Sequence, residues 1–159
     1  MFKHILVAVS HNADCAALRE AMALARKHDA QITALHIVDW IPRYVTADIA
    51  DFGIMLDHLE KQGREIVDQV AALLEKAGCR GSAKMMTLAA GDFTIGKAIA
   101  DIALDIDADL IVVGKATSGW WRWFEEDVSS ETRRCAAVPV FMSSPRKQIS
   151  PVAQAIPAN

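Results

Sequence analysis

Short apolar runs alternate with stretches of helical hydrophobic spacing along most of this chain, and that alternation limits the fold more than any other feature. Residues 4–9 form a short apolar run of the kind a buried strand makes. Over residues 13–28, Leu18, Met22 and Ala25 recur at helical spacing with Ala21 and Leu24 beside them, and Asn12 or Asp14 stands where an N-cap belongs. Residues 31–38, QITALHIV, are rich in β-branched side chains and read as a second strand. A loop over 39–46, with Trp40, Pro42 and Tyr44, precedes a long helical pattern over 48–76. Its apolar face is Leu56, Leu59, Ile66, Val70 and Leu73, with Gly53 and Gly63 as candidate breaks and Ala77-Gly78 as a stop signal. Residues 82–89 are a third strand. Gly91-Asp92 opens the next helix with Asp92 as N-cap, and Ile95, Ile99, Ile102 and Ile106 line one side of it. Residues 110–113 form strand four, residues 127–136 a short helix, and residues 138–142, from Val138 to Met142, strand five.

Strands that alternate with helices join by right-handed crossovers into a mostly parallel sheet with helices on both faces. The expected fold class is α/β, a three-layer sandwich around a five-stranded parallel sheet. A length of 159 residues fits one domain with a sizeable core. That domain is expected over residues 1–143. Residues 144–159, with Pro145, Pro151 and Pro157, are expected to be a flexible tail.

Composition excludes several classes of function. A net charge of −3 offers no general attraction for nucleic acid or an anionic membrane, and Arg133-Arg134 is too small a basic step to change that. The apolar runs fall far short of the roughly 20 residues a membrane span needs. The start of the chain reads as a first strand rather than an export signal. Cys15, Cys79 and Cys135 are odd in number and lack a CxxC spacing, which fits a reducing cytoplasm. The five histidines, His4, His11, His28, His36 and His58, show no metal-ligand spacing, so no metal is expected; His4 and His36 read as satisfied core or edge residues. Nucleophile, Walker and HExxH motifs are absent from the sequence.

In a sheet of this kind, ligands sit outside the carboxyl ends of the strands, where strand order reverses. The segments placed there are Val9-Ser10-His11, Val38-Asp39-Trp40, Ala90-Gly91-Asp92 and the loop from Gly114 to Gly119. A glycine-bearing loop between a strand and a helix is where a phosphate would be held. Here the loop is followed by Glu125, Glu126 and Asp127. At about 4 Å each carboxylate would repel a phosphate charge by around 4 kcal/mol at an effective dielectric near 20, and Lys115 alone cannot offset three of them. Asp127 is instead placed to cap the next helix, with Glu125 and Glu126 near its positive end. Trp120, Trp121, Trp123 and Phe124 are either a hydrophobic lid or a surface for an adenine or a partner.

The stretches FKHILVAVSHNADCAALREAMALARKHDAQITALHIVDW, GDFTIGKAIADIALDIDADLIVVGKATSG and AAVPVF resemble the universal stress protein family over residues 2–143. The resemblance implies a five-stranded parallel sheet in the order 3-2-1-4-5, the adenine nucleotide alpha hydrolase-like arrangement. It also implies a homodimer paired through the last strand, Val138 to Met142. One subgroup of the family binds ATP through Gly-x2-Gly-x9-Gly-(Ser/Thr), with an aspartate at the end of strand one; another subgroup lacks the motif. Here Ser10 holds the aspartate position, Gly114 matches the first glycine, and Thr117 stands at the second. Counting on puts Asp127-Val128 where Gly-Ser or Gly-Thr belongs, and counting back from Val138-Pro139 puts Glu126-Asp127 there. Ser118-Gly119 matches a family Ser-Gly one residue early, and Ser129 and Ser130 are substitute donors.

The expected site is therefore a degenerate nucleotide site made of Ser10, Val38, Gly114, Lys115, Thr117, Gly119, Asp127 and Ser129. The expected function is that of a cytoplasmic, non-enzymatic regulatory protein of the stress response that binds protein partners and needs no cofactor. The alternative is a relative that binds ATP or AMP through a non-standard phosphate loop, with weak ATPase activity.

Overall fold

A computed structural model describes residues 1–11, 15–38, 52–88, 94–114 and 122–143. Nine elements alternate: β1 (His4–Ala8), α1 (Ala16–His28), β2 (Gln31–Val38), α2 (Phe52–Lys76), β3 (Gly81–Thr87), α3 (Ile95–Asp105), β4 (Leu110–Gly114), α4 (Arg122–Cys135) and β5 (Val140–Ser143). The strands form one sheet in the order β3-β2-β1-β4-β5, and every pair is parallel. The α/β class and the 3-2-1-4-5 order are those expected from the sequence.

The two faces of the sheet bury separate clusters. On one side Ile5, Val7, Ile32 and Ala34 pack against Leu18 and Ala21 of α1 and against Val70 and Leu74 of α2. On the other, Leu6, Leu35, Ile111 and Val113 pack against Ile99 and Ala103 of α3, with Val128 of α4 and Ile95, Ile102 and Ile106 partly buried beside them. The alternation of odd and even residues along each strand sorts them between the faces.

Two glycines set how closely helices approach. Gly63 lies inside α2 and does not break it. A Cβ there would stand 2.6 Å from Met85 Sδ and 3.0 Å from Val38 Cγ2, so the missing side chain lets α2 lie down on β2 and β3. Gly96, in the first turn of α3, faces the backbone of α4; a Cβ would meet Thr132 N at 2.8 Å and Val128 O at 3.0 Å. α2 ends at Lys76, and Gly78, two residues on, has a φ of 66° that suits a residue without a Cβ.

Several boundaries differ from the sequence expectation, each for a local reason. α1 is capped by Cys15, whose Sγ accepts from Leu18 N at 3.4 Å; Asn12 and Asp14 lie outside the described residues. α3 is capped by Thr94, whose Oγ1 accepts from Lys97 N at 3.3 Å, and not by Asp92, which also lies outside them. α4 starts at Arg122, so Asp127 is within the helix and is not its N-cap. The acidic run occupies the fourth to sixth positions of the helix. The last strand is Val140–Ser143 and not the expected stretch from Val138 to Met142, because Pro139 has no N–H to contribute to a ladder. The expected loop over 39–46 and tail over 144–159 lie outside the described residues.

Candidate functional site

Strand order reverses between β1 and β4, because β1 connects onward to β2 on one side and β4 to β5 on the other. The crevice outside the carboxyl ends of these strands is the place for a ligand in a sheet of this topology. Three of the expected site residues meet there. Ser10 follows β1 and is exposed, Val38 closes β2 and is buried, and Gly114 closes β4 and is exposed. The register sets Val7 beside Val112, which brings Gly114 level with Val9 and one residue short of Ser10.

Among the described residues, packing does not require a glycine at Gly114. A Cβ there would make only an ordinary contact, 3.8 Å from Ala17 Cβ at the start of α1.

The other expected residues divide. Lys115, Thr117 and Gly119 lie outside the described residues. Asp127 and Ser129 are carried by α4, which is seated against α3 at Gly96. Ser129 is 5% exposed and already engaged in an interaction of its own. Thr132, one turn further, is fully buried and donates from Oγ1 to Val128 O at 2.7 Å.

Two further residues at this end of the sheet were not assigned to the site by sequence reasoning. Ser143 closes β5 in register with Gly114. It is buried, and its hydroxyl has no hydrogen-bond partner. A buried polar group left in that state costs about 1–3 kcal/mol. His36, in β2, donates from Nδ1–H to Val9 O at 2.9 Å, which ties β2 to the end of β1. Its ring lies 6.4 Å from that of His11, edge to face. Burial pushes the His36 pKa below its ordinary value, and the charge of His11 pushes the same way, against the hydrogen bond to Val9. Only the strand position of His36, next to the end of β1, could have signalled it.

At the opposite end of the sheet His4 is a half-buried histidine with both ring nitrogens satisfied. Its Nδ1–H donates to Ile106 O at 2.9 Å and its Nε2 accepts from Thr33 Oγ1 at 2.8 Å. Among the described residues no three His, Cys, Asp or Glu side chains come together as a metal site would require. No helix among them is long and apolar enough to cross a membrane.

The comparisons with known proteins agree with this fold. The profile of the universal stress protein family matches residues 1–143. The chain is 26% identical over 122 residues to a universal stress protein A homolog of Haemophilus influenzae, covering 76% of this chain and 82% of that one. Its fold is similar to that of a universal stress protein family member from Burkholderia pseudomallei, with a TM-score of 0.70 and 24% identity over 88% of this chain and 94% of the other. It is also similar to a universal stress protein from Archaeoglobus fulgidus solved in complex with dAMP, with a TM-score of 0.64 and 23% identity over 89% of this chain and 98% of that one. The chain belongs to the universal stress protein family.

Proposed function

We propose that this chain is a cytoplasmic regulatory protein of the stress response, homodimeric through β5, that acts by binding protein partners and whose crevice is a degenerate nucleotide site. The observation that carries the reading is the polar equipment of the crevice. Ser10 offers one short, neutral hydroxyl where nucleotide-binding relatives are expected to hold a carboxylate. The first two turns of α4 hold Glu125, Glu126 and Asp127 where the binding motif calls for glycine and a hydroxyl. Ionised carboxylates donate nothing to a phosphate and compete for the same positive helix end. Protein purified natively from cells is expected to carry no stoichiometric adenine nucleotide; a stoichiometric nucleotide in the mass spectrum of the extract overturns the reading.

The edge of the sheet supports the dimer. β5 ends the strand order, so one side of it faces away from the sheet. Phe141 on that strand is 45% exposed. Pro139 O accepts from Ile111 N at 3.0 Å, so the side of Pro139 that lacks a donor faces β4. The outer side then presents the N–H and C=O groups of Val140 and Met142. Antiparallel pairing of that edge with a second copy satisfies those groups under two-fold symmetry.

A second reading is favoured by the relative solved with dAMP. In it the crevice takes an adenosine monophosphate. A single phosphate stays further from the acidic turns of α4 than a triphosphate does, so any affinity should fall from AMP to ATP.

A further inference from the structure

His36 and His11 meet at the carboxyl end of the sheet, in a setting neither residue's position in the sequence explains. His36 is 7% exposed. A carbonyl only accepts, so the contact with Val9 O fixes the proton of the neutral ring on Nδ1 and leaves the lone pair on Nε2. α2 closes over the other edge of the ring: a Cβ on Gly63 would stand 3.2 Å from His36 Cδ2, the carbon bonded to Nε2. Met85 of β3 is the register partner of His36.

We propose that His36 is a proton-binding site that couples acidification to loosening of the crevice wall formed by the carboxyl ends of β1 and β2 beneath α2. The second proton must go to Nε2, at the ring edge that α2 covers. The carbonyls of Val9 and Ser10 offset only part of the cost of the charge, and no carboxylate is among the groups that act on it. From the turn that follows β1 the facing titratable group is His11, whose charge is of the same sign. From α2, Glu60 and Arg64 flank Gly63, but Glu60 accepts from Thr87 Oγ1 at 3.0 Å and lies 4.0 Å from Arg64 Nη1. From β3, Lys84 pairs in register with Leu35 and so points to the opposite face of the sheet. β2 itself carries no other ionisable side chain.

A buried imidazolium without a carboxylate partner is relieved by reaching water. The ring reaches it if α2 lifts at Gly63, or if the turn through Ser10 and His11 parts from β2. Both movements take apart the wall that holds Ser10 and Val38. The lowered proton affinity of His36, caused first by burial and then by His11, is the cost of charging the ring in the closed state. The inference goes beyond the proposed function and needs no nucleotide at the crevice.

The test follows the histidine rings of the full chain by side-chain nitrogen NMR from about pH 8 to about pH 4.5, together with amide hydrogen exchange corrected for its intrinsic pH dependence. The expected result is a His36 midpoint below the ordinary 6.5, with Nδ1–H as the neutral tautomer. Between 6.5 and that midpoint the protection of the Val9 amide, which donates to Leu35 O at 2.9 Å, and of the Gly63 amide should fall by up to about tenfold per pH unit, and it should level off below the midpoint. His36→Gln should remove that dependence. His11→Gln, on an exposed residue, should raise the His36 midpoint. Protection at Val9 and Gly63 that stays constant through the His36 titration overturns the proposal, as does the same loss in folded His36→Gln. If His36→Gln does not fold, a His36 midpoint that His11→Gln leaves unmoved overturns it instead.

Discussion

At the scale of single residues, the glycines of α2 separate what a sequence reveals from what packing decides. Both Gly53 and Gly63 read as candidate breaks; Gly63 lies inside the helix without breaking it, and Gly53 is its second residue. They differ in surroundings. A Cβ at Gly53 has nothing within 4 Å, whereas one at Gly63 runs into Met85 and Val38. Gly53→Ala is therefore expected to raise stability by about 0.5 kcal/mol through helix propensity. Gly63→Ala gains a similar propensity term but overpacks the contact with β2 and β3, for a net loss of about 1–2 kcal/mol. Urea unfolding of the two variants checks the difference in sign. The signal was present in the sequence: the apolar stripe of α2 steps from Leu59 to Ile66, and Gly63 occupies the position between them that faces the sheet. Its meaning depended on which strands lay underneath, which periodicity does not report.

His36 belongs to the same scale. The unfolded chain takes up its proton near the ordinary value of 6.5, and the folded chain only at a lower pH. Between these two values the unfolded state holds more protons, so stability falls as pH falls, and it is fully present above 6.5. Urea midpoints measured from about pH 7 down to about pH 5 should decline through this window, and His36→Gln should flatten that part of the curve. A midpoint that rises with acid would contradict the sign.

At the scale of elements, strands and helices were legible because apolar spacing reports directly on burial. Ile95, Ile99, Ile102 and Ile106 were read as one face of a helix, and all of them join the cluster beneath α3. Helix starts were less legible, because a cap is chosen by one hydrogen bond rather than by a repeating pattern. Cys15 caps α1 through a weak sulfur acceptor at 3.4 Å. Cys15→Ser should therefore stabilise the protein by a few tenths of a kcal/mol, and Cys15→Ala should cost about 0.5–1 kcal/mol; thermal unfolding of both variants tests this order. The seat of α4 was not legible at all. It rests on Gly96, which the sequence presents as one more small residue near a turn. Gly96→Ala places a Cβ within 3.0 Å of the backbone of α4, which cannot give way as a flexible side chain would. A loss of about 2 kcal/mol or more is expected, along with shifted amide resonances for Val128 and Thr132. Resonances that stay in place would mean that α4 is held elsewhere.

At the scale of the whole molecule, the sheet order places Ser10, Val38 and Gly114 at neighbouring strand ends, and the same order leaves β5 on the outside. The crevice positions were legible because a topological switch point follows from strand order. Its chemistry was less so, because Ser143 and His36 become visible only when β5 and β2 are laid beside their neighbours. If β5 pairs with a second copy, light scattering should report about twice the 17.3 kDa chain mass. Phe141→Lys places a charge on the exposed edge at small cost to a folded monomer, and should halve that mass. A mass unchanged by the substitution would put the interface elsewhere.

The central claim is that the crevice is built but poorly equipped for a nucleotide, and a calorimetric titration with ATP and AMP, with and without Mg²⁺, tests it most directly. The expected result is no saturation by ATP below about 10 μM, equivalent to about −7 kcal/mol, with AMP no weaker than ATP. Replacing Glu126 and Asp127 with Gly and Ser should then raise the affinity for ATP. Saturation of the unmodified protein by ATP at or below about 10 μM would contradict the claim.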